Sequence, residues 1–311
     1  MRPIAPPRLR RGQTIGIAAP SGPVNQDRLR QGLARLGTEF GIKLAPSVTA
    51  PAGTPRYLSA PDEVRAAELN AMLGDPDVRA IILARGGYGL TRILPRLDAE
   101  LVRRDPKPIV GFSDATALLS WAWAAGVRGI HGPLIVQLGD LPDDDVAHLV
   151  ALLTEPRPAG VRPWELQVHG RGVYRGPVIA GNLTLVSMLV GTPWQVPLEG
   201  AIALLEEIGE KPYELDRYLT QLALTGELAK PIAAVVGDLT RCMDPLPMVG
   251  EPDITEVAFA TVLERLRATG TPSAVGAPVG HGARNEAIPF GAISVLDLDR
   301  KTFEITEAAV S

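Results

Sequence analysis

The first half of the chain alternates short apolar runs with longer segments in which apolar residues recur every three or four positions. The runs at 14–19 and 80–84 are apolar almost throughout, as is typical of parallel strands covered on both faces. The segments at 26–36 and 61–73 have the period of amphipathic helices. This alternation predicts a doubly wound α/β layer with a parallel sheet. A further strand is expected around 43–48, and further helices near 90–94, 98–103, 115–125 and 143–153.

The second half of the chain is mixed, with more strand-like segments toward its end. Between the halves, residues 154–163 are rich in proline, which is typical of a linker or a chain crossing. We therefore divide the chain into a first domain at 1–160 and a second at 161–311. In the second domain we expect strands at 178–180, 201–205, 232–239, 274–275, 292–298 and 303–305, and helices at 182–190, 212–224 and 254–268.

Composition narrows the class of protein. The chain has 311 residues, of which 46% are hydrophobic and 21% charged, and this balance predicts a soluble globular protein with ample cores. A net charge of -4 provides no overall field that would attract nucleic acid or an anionic membrane surface. The single cysteine, Cys242, excludes an intrachain disulfide and is expected to be a buried, inert thiol. No segment is typical of a signal peptide or a membrane span, so we expect a cytoplasmic protein.

The candidate chemistry begins at Ser113, where an apolar strand meets a segment rich in helix-forming residues. In the nucleophile elbow of hydrolases, small residues two positions before and after the serine allow a sharp turn, and here those positions hold Gly111 and Ala115. Serine is also among the commonest residues that cap a helix N-terminus. From this stretch alone, Ser113 is either a nucleophile or a helix cap.

A serine nucleophile needs a base, an acid that orients the base, and N–H donors for the oxyanion. Among the four histidines, His281 is the best candidate for the base, because it lies between two glycines after a strand-like segment. The others fit a surface helix (His148), a glycine-rich loop (His169) and a turn (His131). For the orienting acid, a strand ends in Glu206 and Glu207, which alternation sends to opposite faces. One could face a cleft while the other is solvated. Alternatively, the two glutamates have no catalytic role and only make the end of the strand soluble.

The glycine-rich segment at 85–89 follows a buried strand and lets backbone amides approach a ligand closely. Such a turn suits either an oxyanion hole or a phosphate cradle. It matches neither the dinucleotide-binding fingerprint nor a P-loop, which disfavours nucleotide chemistry. The acidic run at 143–145 is expected to favour a helix N-terminus rather than to bind metal. No zinc-peptidase motif occurs, and we expect neither a metal nor a cofactor.

Six segments, taken together, resemble the LD-carboxypeptidase family of serine peptidases, which includes murein tetrapeptide carboxypeptidases and microcin C immunity peptidases. Their order and spacing span nearly the whole chain. Two positions depart from the family's frequent pattern, with Phe112 in place of Tyr and Glu207 in place of Asp, and neither removes a proposed catalytic residue. The segments are ARGGYG at 84–89, VGFSD at 110–114, HGP at 131–133, GNL at 181–183, LEEIGEKPY at 205–213 with DR at 216–217, and GHGARN at 280–285 with IPFG at 288–291.

The resemblance implies a fold and a set of catalytic residues. The fold would be α/β, with a Rossmann-like parallel-sheet domain first and a smaller, mixed, β-rich domain of the swivelling β/β/α type second. The catalytic triad would be Ser113 as nucleophile, His281 as base and Glu206 as orienting acid. The oxyanion hole would be formed by the backbone N–H groups of Asp114 and Gly86. The serine would come from the first domain, and the glutamate and histidine from the second.

The resemblance also implies the substrate. We expect a small peptide, murein tetrapeptide, from which the enzyme releases the terminal D-Ala during cell-wall recycling, and a homodimeric protein. The same-class alternative is a peptidase of the microcin C immunity type, which cleaves an amide joining an aspartyl residue to a modified nucleotide. The alternative of another class is a non-catalytic module that binds a phosphate ligand. Candidates for substrate binding are Arg85, Gly87, Asn182, Arg217 and Arg284.

Overall fold

The chain folds into two compact units in the computed structural model, which describes residues 2–37, 39–50, 55–243 and 254–311. Unit 1 comprises Met1–Arg157, Glu286–Gly291 and Ala308–Ser311. Unit 2 comprises Pro158–Asn285 and Ala292–Glu307. Each unit has its own sheet and its own apolar core.

The strands and helices of the described residues carry the following bounds. The strands are β1 Thr14–Ala18, β2 Gly41–Leu44, β3 Val78–Leu83, β4 Ile109–Gly111, β5 Ile130–His131, β6 Gly160–Arg162, β7 Gln167–His169, β8 Val173–Asn182, β9 Ile202–Ile208, β10 Ala233–Thr240, β11 Ser273–Val275, β12 Ile288–Pro289, β13 Ile293–Asp297 and β14 Thr302–Ile305. The α-helices are α1 Gln26–Arg35, α2 Pro46–Thr49, α3 Asp62–Gly74, α4 Leu90–Ile93, α5 Ala99–Arg104, α6 Thr116–Ala124, α7 Ile135–Leu138, α8 Asp143–Thr154, α9 Leu183–Met188, α10 Pro212–Leu224 and α11 Ile254–Ala268.

Unit 1 contains a six-stranded sheet in the order β12-β5-β4-β3-β1-β2. The first five strands of the chain run parallel, and only β12 is antiparallel to its neighbour β5. The central strands β1, β3 and β4 are almost completely buried, as their apolar sequences predict. The expected parallel α/β layer is therefore confirmed, and the loops that follow β1, β3 and β4 leave the same edge of the sheet.

The expected strand at 43–48 is wrong in its bounds. The strand is β2, which ends at Leu44, and residues 46–49 form the short helix α2. Pro46 occupies the first turn of α2, where its missing N–H costs nothing and its fixed φ favours a helix.

The expected domain division at residue 160 lies close to Arg157, but it assigned the whole C-terminal part of the chain to the second domain. Two late segments belong to unit 1 instead. Residues 286–291 include β12, which pairs with β5. Residues 308–311 return to the N-terminus, where the N–H of Ser311 donates to the carbonyl of Pro6 and the N–H of Arg8 donates to that of Ser311. Long-range pairing of this kind leaves no signal in local composition.

Unit 2 contains an eight-stranded mixed sheet in the order β6-β14-β13-β8-β9-β10-β11-β7. The four inner strands β8, β9, β10 and β11 are parallel, and the outer pairings are antiparallel. The expected mixed sheet is confirmed. Strand β8 is longer than the expected 178–180, because its first half pairs with β13 and its second half with β9. Sequence reasoning missed this length because Pro177 interrupts the pattern.

Helix α9 begins one residue later than expected, because Asn182 is its N-cap and accepts a hydrogen bond from the N–H of Leu185.

Two histidines expected in loops lie in strands instead, His131 at the end of β5 and His169 at the end of β7. Cys242 is buried, as expected, and burial raises the pKa of its thiol to about 12. No helix within the described ranges is long and apolar enough to cross a membrane.

Candidate active site

Ser113 lies at a sharp turn between strand β4 and helix α6. Phe112 is extended, and Ser113 then adopts a φ of 61°, which is rare for a residue other than glycine. A Cβ atom on Gly111 would lie 2.7 Å from the Cβ of Ala115, so the turn requires the glycine that the sequence contains. Ser113 begins a 3₁₀ turn ahead of α6, and its side chain caps neither. The helix-cap interpretation of Ser113 is therefore wrong.

The glycine-rich turn after β3 lies directly against Ser113. A Cβ atom on Gly86 would lie 3.3 Å from Ser113 Cβ and 3.4 Å from Ser113 Oγ. Gly87 and Gly89 have φ angles of +107° and +134°, which favour glycine. Unit 1 thus brings together three of the expected site residues, since Asp114 directly follows Ser113.

His281 and Glu206 form a hydrogen-bonded pair in unit 2. The Nδ1 atom of His281 lies 2.7 Å from Oε2 of Glu206. The side chain of Glu206 is completely buried, whereas that of His281 is 15% exposed. Because Nδ1–H donates to the carboxylate, the pair favours the tautomer in which Nε2 carries the lone pair. An imidazole held in this way can accept a proton at Nε2, while the carboxylate stabilises the resulting charge.

Glu207 is buried as well, which corrects the expectation that one of the two neighbouring glutamates is solvated. Its carboxylate accepts hydrogen bonds of 2.8 Å from Nδ2 of Asn182 and from the N–H groups of Thr184 and Ile208. Burial, and secondarily the charge of Glu206, raises the pKa of Glu207. Alternation along β9 therefore gives the two carboxylates different tasks: Glu206 contacts His281, and Glu207 anchors the start of α9.

Asp238, near the end of β10, holds the loop that carries His281, and sequence reasoning missed it. Its carboxylate accepts the N–H of Gly282 at 3.0 Å, and its own N–H donates to the carbonyl of Val279 at 2.9 Å. Burial raises the pKa of Asp238 to about 6, and the charge of Glu206 acts in the same direction. A carboxylate that ends an apolar strand was the available signal, the same signal that pointed to Glu206.

Gly280 shows how closely the His281 loop packs on its supports. It has a φ of +138°, and a Cβ atom there would lie 3.0 Å from Asp238 Cβ and 3.1 Å from Glu206 Cβ. Its N–H donates to Oδ1 of Asn285 at 3.1 Å. The glycine is needed both for the backbone conformation and for the close approach.

The expected substrate-binding residues lie in different settings. Arg85 is exposed and donates to the carbonyl of Pro23 at 2.9 Å. Gly87 is exposed, and Arg217 is an exposed side chain on α10 whose guanidinium lies 5.4 Å from the ring centroid of Tyr213. The amide of Asn182 is engaged with Glu207 and with the start of α9, which gives it a structural task. Arg284 is half-buried in the loop after His281.

Two of the other histidines contact the surrounding protein, and no metal-binding cluster is found among the described residues. His131 is buried, and its ring packs edge-on against Phe112 with centroids 5.8 Å apart. His148 is half-buried in α8 and contacts the carbonyl of Ala287 at 2.9 Å through Nε2. In the part of the chain that the structure describes, no group of three or more His, Cys, Asp or Glu residues could hold a metal ion.

Comparison with known proteins gives the family. Residues 15–132 match the LD-carboxypeptidase N-terminal domain, and residues 175–296 match the LD-carboxypeptidase C-terminal domain. A relative from Streptomyces coelicolor is 35% identical, and the match covers 99% of this chain and 97% of the relative. The murein tetrapeptide carboxypeptidase of Pseudomonas aeruginosa is 33% identical over 79% of this chain and 81% of its own length.

A solved structure adds support for the fold. The muramoyltetrapeptide carboxypeptidase of Oxalobacter formigenes superposes with a TM-score of 0.78, at 26% identity, over 94% of this chain and 97% of that protein. These matches span both units. The chain therefore belongs to the LD-carboxypeptidase family, as a serine-type LD-carboxypeptidase.

Proposed function

We propose that this protein releases the terminal D-Ala from murein tetrapeptide by means of a Ser113–His281–Glu206 triad. The single observation that carries the proposal is the 2.7 Å hydrogen bond between His281 Nδ1 and the buried Glu206 Oε2. The strained turn at Ser113 supports it, because nucleophile elbows present a serine in this way. The names of the relatives that act on murein peptides support the substrate class.

The chemistry divides into acylation and deacylation. Ser113 Oγ attacks the carbonyl that joins the L-configured centre of the third residue to D-Ala, while His281 Nε2 accepts the hydroxyl proton. The imidazolium then gives this proton to the departing D-Ala amine, and the tripeptide remains as an ester on Ser113. Water, deprotonated by His281, then attacks the ester carbonyl, and the imidazolium returns the proton to Ser113 Oγ as the tripeptide leaves. Glu206 keeps the imidazole oriented and stabilises its positive charge in both halves of the reaction.

The oxyanion of each tetrahedral intermediate needs donors that are already in place. We assign this task to the N–H groups of Gly86 and Asp114, because Gly86 lies against Ser113 and Asp114 follows it in the turn. Arg85, Arg217 and Arg284 are the candidates that would bind the terminal carboxylate of the substrate, since a guanidinium pairs well with a carboxylate. Gly87 would allow the substrate backbone to approach.

The substrate is tested by supplying purified protein with a tetrapeptide that contains diaminopimelate, one that contains lysine, and the corresponding pentapeptide. We expect stoichiometric D-Ala from at least one tetrapeptide and none from the pentapeptide, whose scissile bond joins two D-residues. Failure on both tetrapeptides would overturn the proposed substrate.

A second candidate function has one observation in its favour. The microcin C7 self-immunity protein of Escherichia coli is 27% identical over 96% of this chain and 95% of its own length. Its structure with glutamyl sulfamoyl guanosine superposes with a TM-score of 0.88 at 23% identity, a likeness of fold. Faster hydrolysis of aspartyl sulfamoyl adenosine than of tetrapeptide would reverse the order of the two candidates.

Of the remaining predictions, the homodimer rests on the family resemblance, and the cytoplasmic location rests on the sequence, in which no segment is typical of a signal peptide or a membrane span. The homodimer is tested by light scattering on the purified protein, and the cytoplasmic location by cell fractionation. The binding module with no activity, the alternative of another class, is disfavoured because the chain is a serine-type LD-carboxypeptidase by family.

A further inference from the structure

Three buried polar side chains lie beneath the Ser113 turn, and the proposed chemistry uses none of them. Ser21, Arg65 and the side chain of Asp114 are each no more than 1% exposed. Ser21 follows β1, Asp114 follows β4, and Arg65 lies on α3. Burying polar groups costs free energy unless they are hydrogen-bonded, so what they bind shows what they hold in place.

The carboxylate of Asp114 ties three loops together. Its Oδ2 atom accepts the hydroxyl of Ser21 at 2.6 Å and the N–H of Leu90 at 3.0 Å. Ser21 belongs to the loop after β1, and Leu90 directly follows the glycine-rich turn after β3. Asp114 itself is the residue after Ser113. One carboxylate oxygen therefore joins the turn that carries Ser113 to both neighbouring loops.

Arg65 holds the same loops through their carbonyl groups. Its Nη1 atom donates to the carbonyl of Gly89 at 3.0 Å and also to that of Pro20, and its Nε atom donates to Ala60 at 3.0 Å. A Cβ atom on Gly89 would lie 2.7 Å from Arg65 Nη1, so the glycine lets the guanidinium approach. The planar, multiply donating guanidinium suits the bridging of several fixed carbonyls better than an ammonium does.

The position of Ser113 needs such support. A φ of 61° at a non-glycine residue costs about 1–2 kcal/mol, and such a conformation persists only where its surroundings over-determine it. A backbone hydrogen bond of 3.1 Å from Gly22 to the carbonyl of Gly86 adds one more link between the same loops. The loops thus hold both the serine and the glycine turn against which it lies.

We infer that Ser21 and Arg65 are positioning residues for the reaction, which act through Asp114 and the Gly89 and Pro20 carbonyls to fix Ser113 Oγ relative to the Gly86 N–H. The inference rests on the proposed function, because it presupposes that Ser113 is the nucleophile. Loss of the Ser21 hydroxyl leaves the Asp114 carboxylate with one donor fewer and loosens the turn. The rate of attack should then fall more than the affinity for substrate, because the bound peptide loses no contact.

The chain offers a matched control for this substitution. Ser47 is also a buried serine of unit 1 whose hydroxyl donates to a carboxylate, that of Glu68. Ser47 lies in α2, and both its N–H and its hydroxyl donate to Glu68 on α3. Ser21→Ala and Ser47→Ala thus remove the same kind of bond, one beneath the proposed nucleophile and the other away from it.

The test measures two rates on folded protein: labelling of Ser113 by a fluorophosphonate and D-Ala release from tetrapeptide. We expect Ser21→Ala to lower the labelling rate and kcat by about tenfold, with KM changed by less than about threefold. Ser47→Ala should change the labelling rate, kcat and KM by less than about twofold, even if it lowers the melting temperature as much as Ser21→Ala does. Asp114→Asn keeps an acceptor for Ser21, and should therefore label faster than Asp114→Ala.

Unchanged labelling and kcat in Ser21→Ala would overturn the inference while the proposed function stands. So would an equal loss in Ser47→Ala, because that would show only a general effect of lost stability. If Ser21→Ala does not fold, the comparison of Asp114→Asn with Asp114→Ala decides, and equal rates in those two variants would overturn it. A native protein that neither labels at Ser113 nor releases D-Ala would remove the proposed function, and the inference with it.

Discussion

Ser113 carries the hydroxyl proposed to react, in a backbone conformation that suits glycine better. Its φ of 61° turns the chain from β4 toward α6 and leaves the side chain partly exposed. The sequence predicted the turn because small residues flank the serine, but residue type alone could not distinguish a nucleophile from a helix cap. The positive φ and the missing cap bond exclude the helix cap, and the role as nucleophile stays a proposal.

The strain at Ser113 leads to a prediction on stability. Ser113→Gly and Ser113→Ala both remove the hydroxyl, but only glycine relieves the positive φ. We expect the free energy of unfolding of Ser113→Gly to be about 1 kcal/mol higher than that of Ser113→Ala. Both variants should be inactive. Urea denaturation of the two variants measures the difference. An alanine variant as stable as the glycine variant would contradict the strained turn.

Strand β9 shows why residues next to each other in sequence have different tasks. Glu206 and Glu207 face opposite sides of the strand, and one contacts His281 while the other anchors Asn182 and Thr184. Alternation predicted the opposite faces. It could not predict that both faces are buried, because burial of Glu207 depends on the packing of α9 against the sheet.

Glutamine at each position separates the two tasks. Glu206→Gln should lower kcat by about 10²- to 10⁴-fold with little loss of stability, because the amide no longer stabilises the imidazolium. Glu207→Gln places an amide donor against existing donors, and should lower stability by about 1–3 kcal/mol while kcat changes by only a few-fold. Steady-state kinetics and urea denaturation measure both. Equal losses of kcat in the two variants would contradict the assignment of different tasks to Glu206 and Glu207.

The loop that carries His281 leads to a pH-dependent prediction through Asp238, which faces Glu206, His281 and the Gly282 N–H. Its pKa is raised from 3.8 to about 6, so its contribution to stability is complete below about pH 4 and is lost as pH rises through about 6. Asp238→Asn does not titrate.

The stability of the wild type relative to Asp238→Asn should therefore fall between about pH 4 and pH 6 and then level off. The expected fall is about 1–2 kcal/mol, discounted for the partial exposure of the group. Urea denaturation of both proteins at several pH values measures it. A difference that rises with pH over this range would contradict the assignment.

At the scale of the whole molecule, the order of elements could be predicted, but not the full assignment of segments to units. Apolar runs identified most central strands, since a strand covered on both faces must be apolar throughout. The short strands β5, β6, β7 and β12 were missed, because their few residues carry no period. Likewise, Ser21 and Arg65 have no local signal, since their roles arise only when distant loops meet, whereas Asp238 carries the same signal as Glu206, a carboxylate near the end of an apolar strand.

The C-terminal segment of unit 1 leads to the last prediction on stability. Residues 308–311 include the buried Ala309 and Val310, and Ser311 bonds with Pro6 and Arg8. Removal of these four residues should lower the stability of unit 1 by about 2–4 kcal/mol, because buried apolar surface and backbone hydrogen bonds are lost together. Hydrogen exchange should show the largest loss of protection in β1, β3 and β4. An unchanged pattern would contradict the assignment of this segment.

In the proposed reaction, Ser113 carries the tripeptide as an ester between acylation and deacylation. The most direct measurement is mass spectrometry of the enzyme quenched with acid during tetrapeptide turnover, followed by digestion. We expect a tripeptide ester on the peptide that contains Ser113, its accumulation with the first D-Ala released, and its absence in Ser113→Ala. Full D-Ala release by Ser113→Ala, or an acyl group on another residue, would contradict it.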